Sequence, residues 1–291
     1  MLAMLRPLAA AAVSLLFLGV ARADGSHVFW EVAGKHNTVY LLGSVHLLHI
    51  DDRALPSVTE NAYLDAEVLV EELNILEMAG EMLSPDAIKA QVLPEGQSLA
   101  SIIGPELHAQ LKASAKELGL DADFLSRLQP WYVASIVSAL RLAKAGFNAQ
   151  DGVDYQIALR AQRDGKPIVG LETAAQQLGF LASMSMEDQR NFLAATLNES
   201  EDGEELREIT EAWRNGDLLA LEALLKQGAE QMPTFFQRIV VDRNHNWLPR
   251  IEQMLADPQQ DYLVVTGALH MIGKQGLVEL LRDKGYKITR K

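Results

Sequence analysis

The sequence predicts an α/β protein of the α+β kind: a central mixed sheet built from both ends of the chain, covered by helices, with a large helical insertion. Three observations carry this expectation. Short runs rich in Val, Leu and Tyr lie near both ends, apolar residues recur every three or four positions between them, and one further β-type run interrupts that middle. A middle with so few strands cannot form a sheet of its own, so the strands of the two ends are expected to share one.

The first residues read as a secretory leader. A basic start at Arg6, an uncharged run over 7–21 with its apolar core at 13–20, and Ala21-Arg22-Ala23 form a signal peptide cut before Asp24. The run is shorter than the roughly 20 residues that span a bilayer; an uncleaved anchor is the alternative. Export to the periplasm or the medium follows, and residues 24–291 are expected to form a single domain.

Residues 27–32 and 38–42 are strands joined by the turn-prone stretch 34–37, which makes a hairpin. Pro56 opens a helix that runs to about 65, and 67–73 is an apolar strand interrupted only by Glu71 and Glu72. From 75 to 145 the pattern is helical, with Pro85, Pro94, Pro105 and Pro130 marking helix starts. Residues 152–164 form a helix, 165–166 a turn and 167–171 a buried strand. The segment 173–257 is again helical, in pieces at 176–182, 186–197, 204–214, 218–230 and 235–255, with the acidic stretch 199–205 an exposed loop. A strand at 262–266, a helix at 273–284 and a strand at 286–289 close the chain.

Composition removes several classes of function. The formal charge of -13 becomes -15 once Arg6 and Arg22 leave with the signal peptide, and such a surface repels phosphate backbones, which excludes nucleic acid as a partner. There is no cysteine, so disulfides cannot brace the fold and any metal site must use His, Asp or Glu. After the leader, no stretch is long and apolar enough to be an integral membrane segment.

Two segments near opposite ends share one grammar, an apolar strand followed by Gly-x-x-His: Gly43-Ser44-Val45-His46 and Gly267-Ala268-Leu269-His270. A glycine at a strand exit lets the backbone turn tightly, and the histidine then faces the carboxyl edge where open α/β sheets place ligands. One such histidine is more often a hydrogen-bonded structural residue. Two with matching grammar indicate a shared site. Neutral imidazoles are common metal ligands, and a carboxylate is a usual third member, which Glu71 or Glu72 supplies. Strand alternation puts these two glutamates on opposite faces, so only one is expected to aim at the site.

The chain resembles the TraB/GumN family, itself similar to the Tiki metallopeptidases and to erythromycin-esterase-like and haem-binding relatives. The residues carrying the resemblance are 41–47, Val70-Glu71-Glu72-Leu73-Asn74, Gly152-Val153-Asp154, 165–173, Arg243-Asn244, and Gly267 to His270 running on to Gly285-Tyr286. The resemblance implies a divalent metal, zinc, manganese, cobalt or iron, held by His46, Glu72 and His270, with peptide-bond hydrolysis by water as the reaction. Asn74 stands where many relatives have Asp.

Other groups can complete such a site. Asp154 sits at a helix start, where a capping role is the alternative. Glu172 leaves the 167–171 strand at the same edge and suits a general base or a partner for a histidine; a solvated strand end is its alternative. Arg243 suits a clamp for a carboxylate or oxyanion, against a surface ion pair with the neighbours of Asp242. Ser44 lies in no Gly-x-Ser-x-Gly elbow and is not read as a nucleophile. His49 is read as a loop residue, and Trp131-Tyr132 and Phe235-Phe236 as core packing. The functional expectation is therefore an exported metal-dependent hydrolase acting on a peptide or small molecule. The alternative is a non-catalytic protein that sequesters a peptide, metal or haem in the same cleft.

Overall fold

The apolar runs of both ends do meet in one sheet. A computed structural model describes residues 27–291 apart from 53 and 199–202, so the proposed leader and most of the acidic 199–205 loop lie outside the described residues. The strands are β1 (Phe29–Ala33), β2 (Thr38–Ser44), β3 (Leu48–His49), β4 (Val68–Glu71), β5 (Phe147–Asn148), β6 (Ile168–Gly170), β7 (Tyr262–Gly267) and β8 (Lys287–Arg290). Six of them form a mixed sheet in the order β6-β4-β7-β2-β1-β8. Neighbours among β6, β4, β7 and β2 pair in parallel, whereas β1 pairs antiparallel with both β2 and β8.

The centre of this sheet follows from its residues. Val68-Leu69-Val70 and Leu263-Val264-Val265 are apolar without alternation, as strands covered on both faces must be, and all six are buried. Helices Ser57–Asp65, Val153–Asp164, Asp242–Ala256 and Leu277–Asp283 contribute Tyr63, Ile157, Trp247, Ile251 and Leu281 to the core around them. The helical insertion has its own apolar cluster, in which Leu99, Ile103 and Leu111 of Leu99–Leu118 meet Val133 and Val137 of Pro130–Lys144 and Leu193 of Met186–Asn198.

Several boundaries differ from the sequence expectation. Pro85 and Pro130 do open helices, but Pro94 precedes the next one, which starts at a capping box of Ser98 and Ser101; Pro105 follows a break at Gly104, whose φ is 80°. The helix expected over 235–255 consists of Pro233–Phe236, a π-helical turn Gln237–Val241 and Asp242–Ala256. β3 and β5 form a two-stranded ladder too short for any periodicity to reveal. Trp131 is buried, and Phe235 packs on Phe192 with ring centroids 4.7 Å apart. Among the described residues no helix is long and apolar enough to cross a membrane.

Because Leu69 lies fully buried in the central strands, Leu69→Ala should lower stability by about 2–5 kcal/mol in urea unfolding. Leu219→Ala, at a side chain 80% exposed, should stay within about 0.5 kcal/mol of the unmodified protein. Equal effects at the two positions would contradict the core assignment.

Candidate active site

β4, β7 and β2 lie side by side and parallel, with β7 in the middle, so their carboxyl ends open on one edge. Glu71 pairs with Val265 and Ser44 with Gly267, which sends Glu72, His46 and His270 out of the sheet at the same place. Beyond β6, Leu171 N–H and Glu172 N–H donate to the carbonyls of Glu71 and Glu72, and this brings Glu172 alongside.

The side chains then converge. His46 Nε2 lies 3.4 Å from Glu72 Oε1, and His270 Nε2 lies 3.8 Å from the same oxygen. That oxygen also accepts the Gly267 N–H at 2.7 Å. On the far side of each ring, His46 Nδ1 is 2.6 Å from Asp154 Oδ2 and His270 Nδ1 is 2.7 Å from Asn244 Oδ1. Asn244 Nδ2 donates to the carbonyls of His270 and Gln275, which fixes its oxygen towards the ring. His270 must therefore carry its proton on Nδ1 and present a lone pair at Nε2. Burial, reinforced by Arg243, pushes the His270 pKa down to about 3 despite Glu72, so the ring is neutral near pH 7. For His46 partial desolvation works against the charge, but Asp154 and Glu72 outweigh it and raise the pKa well above its usual value. The His46 side chain remains 49% exposed and forms the open side of the site.

Arg243 provides the fixed positive charge. Its Nη2 meets Glu72 Oε2 in a short contact and Glu172 Oε1 at 2.7 Å, its Nε donates to the same Glu172 oxygen at 3.0 Å, and its Nη1 lies 3.2 Å from His270 Nε2. Trp247, one helical turn on, donates its indole N–H to Glu172 Oε2 at 3.0 Å and lies under the guanidinium, 4.5 Å from ring centroid to Cζ. Burial alone would raise the pKa of Glu72, but Arg243 above all, with the His46 imidazole, holds it well below the usual carboxylate range.

The two glycines work differently from the sequence expectation. Neither Gly43 nor Gly267 has a positive φ. What they supply is room: a Cβ on Gly43 would come within 2.5 Å of Val28 Cγ1, and one on Gly267 within 3.0 Å of His46 Nε2. Trp213 closes the exit of β2 by donating to the Gly43 carbonyl at 2.7 Å.

Beside the histidines lies a cavity of about 230 Å³ lined by His46, Leu47, Glu71, Glu72, Leu73 and Met78 among others. Both glutamates therefore face it, contrary to the expectation from alternation. The physical reason is that β4 ends at Glu71, so Glu72 lies beyond the strand and no longer obeys its period. Burial, then the charge of Asp154, pushes Glu71 up to about 8.

All six residues expected at the site are brought together: His46, Glu72, His270, Asp154, Glu172 and Arg243 form one connected cluster. Asp154 lies in the first turn of Val153–Asp164 but makes no capping bond, and Arg243 points inward instead of pairing along the helix surface. His49 pairs with Asp51 at 3.3 Å and packs against Phe147, in β3. Asn244 and Trp247 had no expected role, and Glu71, weighed beside Glu72 as the carboxylate of the site, faces the cavity. The spacing of Arg243, Asn244 and Trp247 on one helix was the available signal.

The donor set suits a divalent ion. A tetrahedral site with bonds of about 2.1 Å has ligand–ligand edges of about 3.4 Å, close to the separations of the two imidazoles from Glu72 Oε1. Asp154 and Asn244 orient the rings as outer partners of ligating histidines do. Among the described residues no group of three or more His, Asp or Glu is set as a ready metal cage. Arg243 Nη1 lies 3.2 Å from His270 Nε2, on the lone pair that an ion would use.

Residues 28–290 match the TraB/PrgY/gumN family. YbaP of Escherichia coli (strain K12) is 24% identical over 264 residues, covering 89% of this chain and 94% of that one. Metalloprotease TIKI1 of Danio rerio is 23% identical over 325 residues, 92% of this chain and 63% of that protein. Metalloprotease TIKI2 of Xenopus tropicalis is 22% identical over 326 residues, with 91% and 60% covered. The chain thus spans about three fifths of these two metalloproteases. No solved structure matches it.

Removing Arg243 leaves Glu72 and Glu172 buried without their cation, so Arg243→Ala should cost about 3–5 kcal/mol in urea unfolding. A cost below about 1 kcal/mol would mean that the two carboxylates do not depend on it.

Proposed function

Since the chain belongs to the TraB/PrgY/gumN family, which it shares with relatives named as metalloproteases, we propose that it is a metal-dependent hydrolase with a peptidase-like reaction. One observation carries the reading: histidines from the two ends of the chain, leaving adjacent strands of the sheet, direct their Nε2 atoms at a single carboxylate oxygen, with the opposite nitrogens already held in place. In this reading His46, His270 and Glu72 would hold the ion, which would supply Lewis acidity and activate water near neutral pH. Two imidazoles and a carboxylate suit zinc, manganese, cobalt or iron. The leader read in residues 1–23 puts the reaction outside the cytoplasm.

The chain's own groups then divide the work. Asp154 lines the cavity and orients His46 through Oδ2, while its buried Oδ1 has no hydrogen-bond partner among the described residues, which leaves it free for a base's role. Both oxygens of Glu172 are engaged, Oε1 by Arg243 and Oε2 by Trp247, so its task is to anchor the guanidinium instead of serving as a base. Arg243 is thereby held where it can steady negative charge that develops on a tetrahedral centre. Gly267 N–H and Arg243 fix the two oxygens of Glu72.

A second reading, a binder that holds its ligand in the same cleft without turnover, has its footing in the Arg243–His270 contact, because a guanidinium already occupies that lone pair. Incubation of the protein with a peptide mixture and added divalent metals separates the two, since only the hydrolase produces new fragments. Chelator should abolish that activity. His46→Ala and His270→Ala should each lose bound metal, read by elemental analysis, and turnover by at least ~10²-fold while remaining folded. Full activity in both variants would remove the assignment. Glu172→Gln should keep the metal but lower kcat by about tenfold or more, because Arg243 loses its anchor.

A further inference from the structure

Glu71 is the one carboxyl in the cavity that the mechanism above does not use. It is 2% exposed, its Oε1 has no partner among the described residues, and its Oε2 accepts only the Ile75 N–H at 3.4 Å. Leu47, Leu73, Ile75, Met78 and Val265 give the cavity an apolar side, and Asp154 and Gln177 line it as well. A buried oxygen left without a donor costs about 1–3 kcal/mol, and the apolar side resists a charged guest. The volume, about 230 Å³, is below the roughly 300–1,000 Å³ that encloses a drug-sized ligand, so the space suits one side chain. His46 and Glu72 line the same cavity, which places any guest directly beside the His46 imidazole and the carboxylate it faces.

We propose that this cavity is a specificity subsite for a single uncharged apolar side chain of the leucine or methionine class, and that Glu71 Oε1 accepts the backbone N–H of the same residue. This deepens the hydrolytic reading and rests on it for its place next to the cleaved bond. An apolar side chain satisfies the walls, and the amide that accompanies it brings the missing donor.

Met78 offers a reporter that does not depend on turnover. With methyl-labelled methionine, the Met78 signal is identified by its absence in Met78→Leu and followed by NMR while N-acetyl-leucinamide is added. The signal should shift saturably with this probe and stay in place with N-acetylglycinamide. The ester analogue of the leucine probe, with oxygen in place of the N–H, should bind about tenfold more weakly, as expected for one lost hydrogen bond to a buried acceptor. Glu71→Gln, which keeps an acceptor, should preserve that preference, and Glu71→Leu should erase it. Ile75→Trp should block the shift by filling the space. A Met78 signal unmoved by the leucine probe, an equal response to the glycine probe, or equal binding of amide and ester to the unmodified protein would overturn the proposal. The last comparison needs no variant to fold. A shift without any peptide cleavage supports the subsite and removes the hydrolytic reading; cleavage without a shift does the reverse.

Discussion

A carboxylate taken out of water at the end of β4 governs the arrangement of everything near it. Left alone, Glu72 would cost several kcal/mol to bury or would take up a proton. It is instead met by Arg243, by the Gly267 N–H and by the His46 imidazole, with the neutral His270 ring alongside. Each of those groups needs support of its own. Arg243 leans on Glu172, Glu172 on Trp247, His46 on Asp154, and His270 on Asn244. One buried charge therefore dictates side chains just beyond the ends of β2, β4, β6 and β7 and on the helices Val153–Asp164 and Asp242–Ala256.

Such a network is weak evidence for stability. Replacing a buried ionic cluster by well-packed apolar groups is often neutral or stabilising, whereas removing one partner is costly. The fold is better explained by the fully apolar centre of β4 and β7 and the helices packed on it. The ionic cluster sits at the edge of that core, where the parallel strands end and the His46 side of the site opens to solvent. This division leaves the chemistry of the edge free to serve something other than holding the chain together.

Much of this was legible in the residues. Unbroken β runs at both ends, with helical periodicity between, indicate a shared sheet, and the repeated Gly-x-x-His grammar singles out the two histidines. The limits were physical. Period-two alternation holds only inside a strand, so it failed one residue beyond Glu71, where the backbone leaves β4. Gly43 and Gly267 read as turn residues, yet their value lies in how closely other elements approach, which no single segment records. The roles of Asn244 and Trp247 depend on how one helix is rotated against the sheet, and so does the engagement of both Glu172 oxygens by Arg243 and Trp247. Nothing in the described residues bears on the leader, which falls outside them.

The π-helical turn at Gln237–Val241 immediately precedes this rotation-sensitive stretch. An α-helix advances about 100° per residue, so one extra residue in a regular helix would swing all that follows to a different side. A π turn absorbs such an insertion locally. The bulge therefore acts as a phase buffer between the Pro233 end of the helix and its Arg243 half. Related chains shorter by one residue in this window could straighten the turn and still aim the same arginine at the same carboxylate. The loss of a residue after Asp242 has no comparable slack and would turn Trp247 away from its partner.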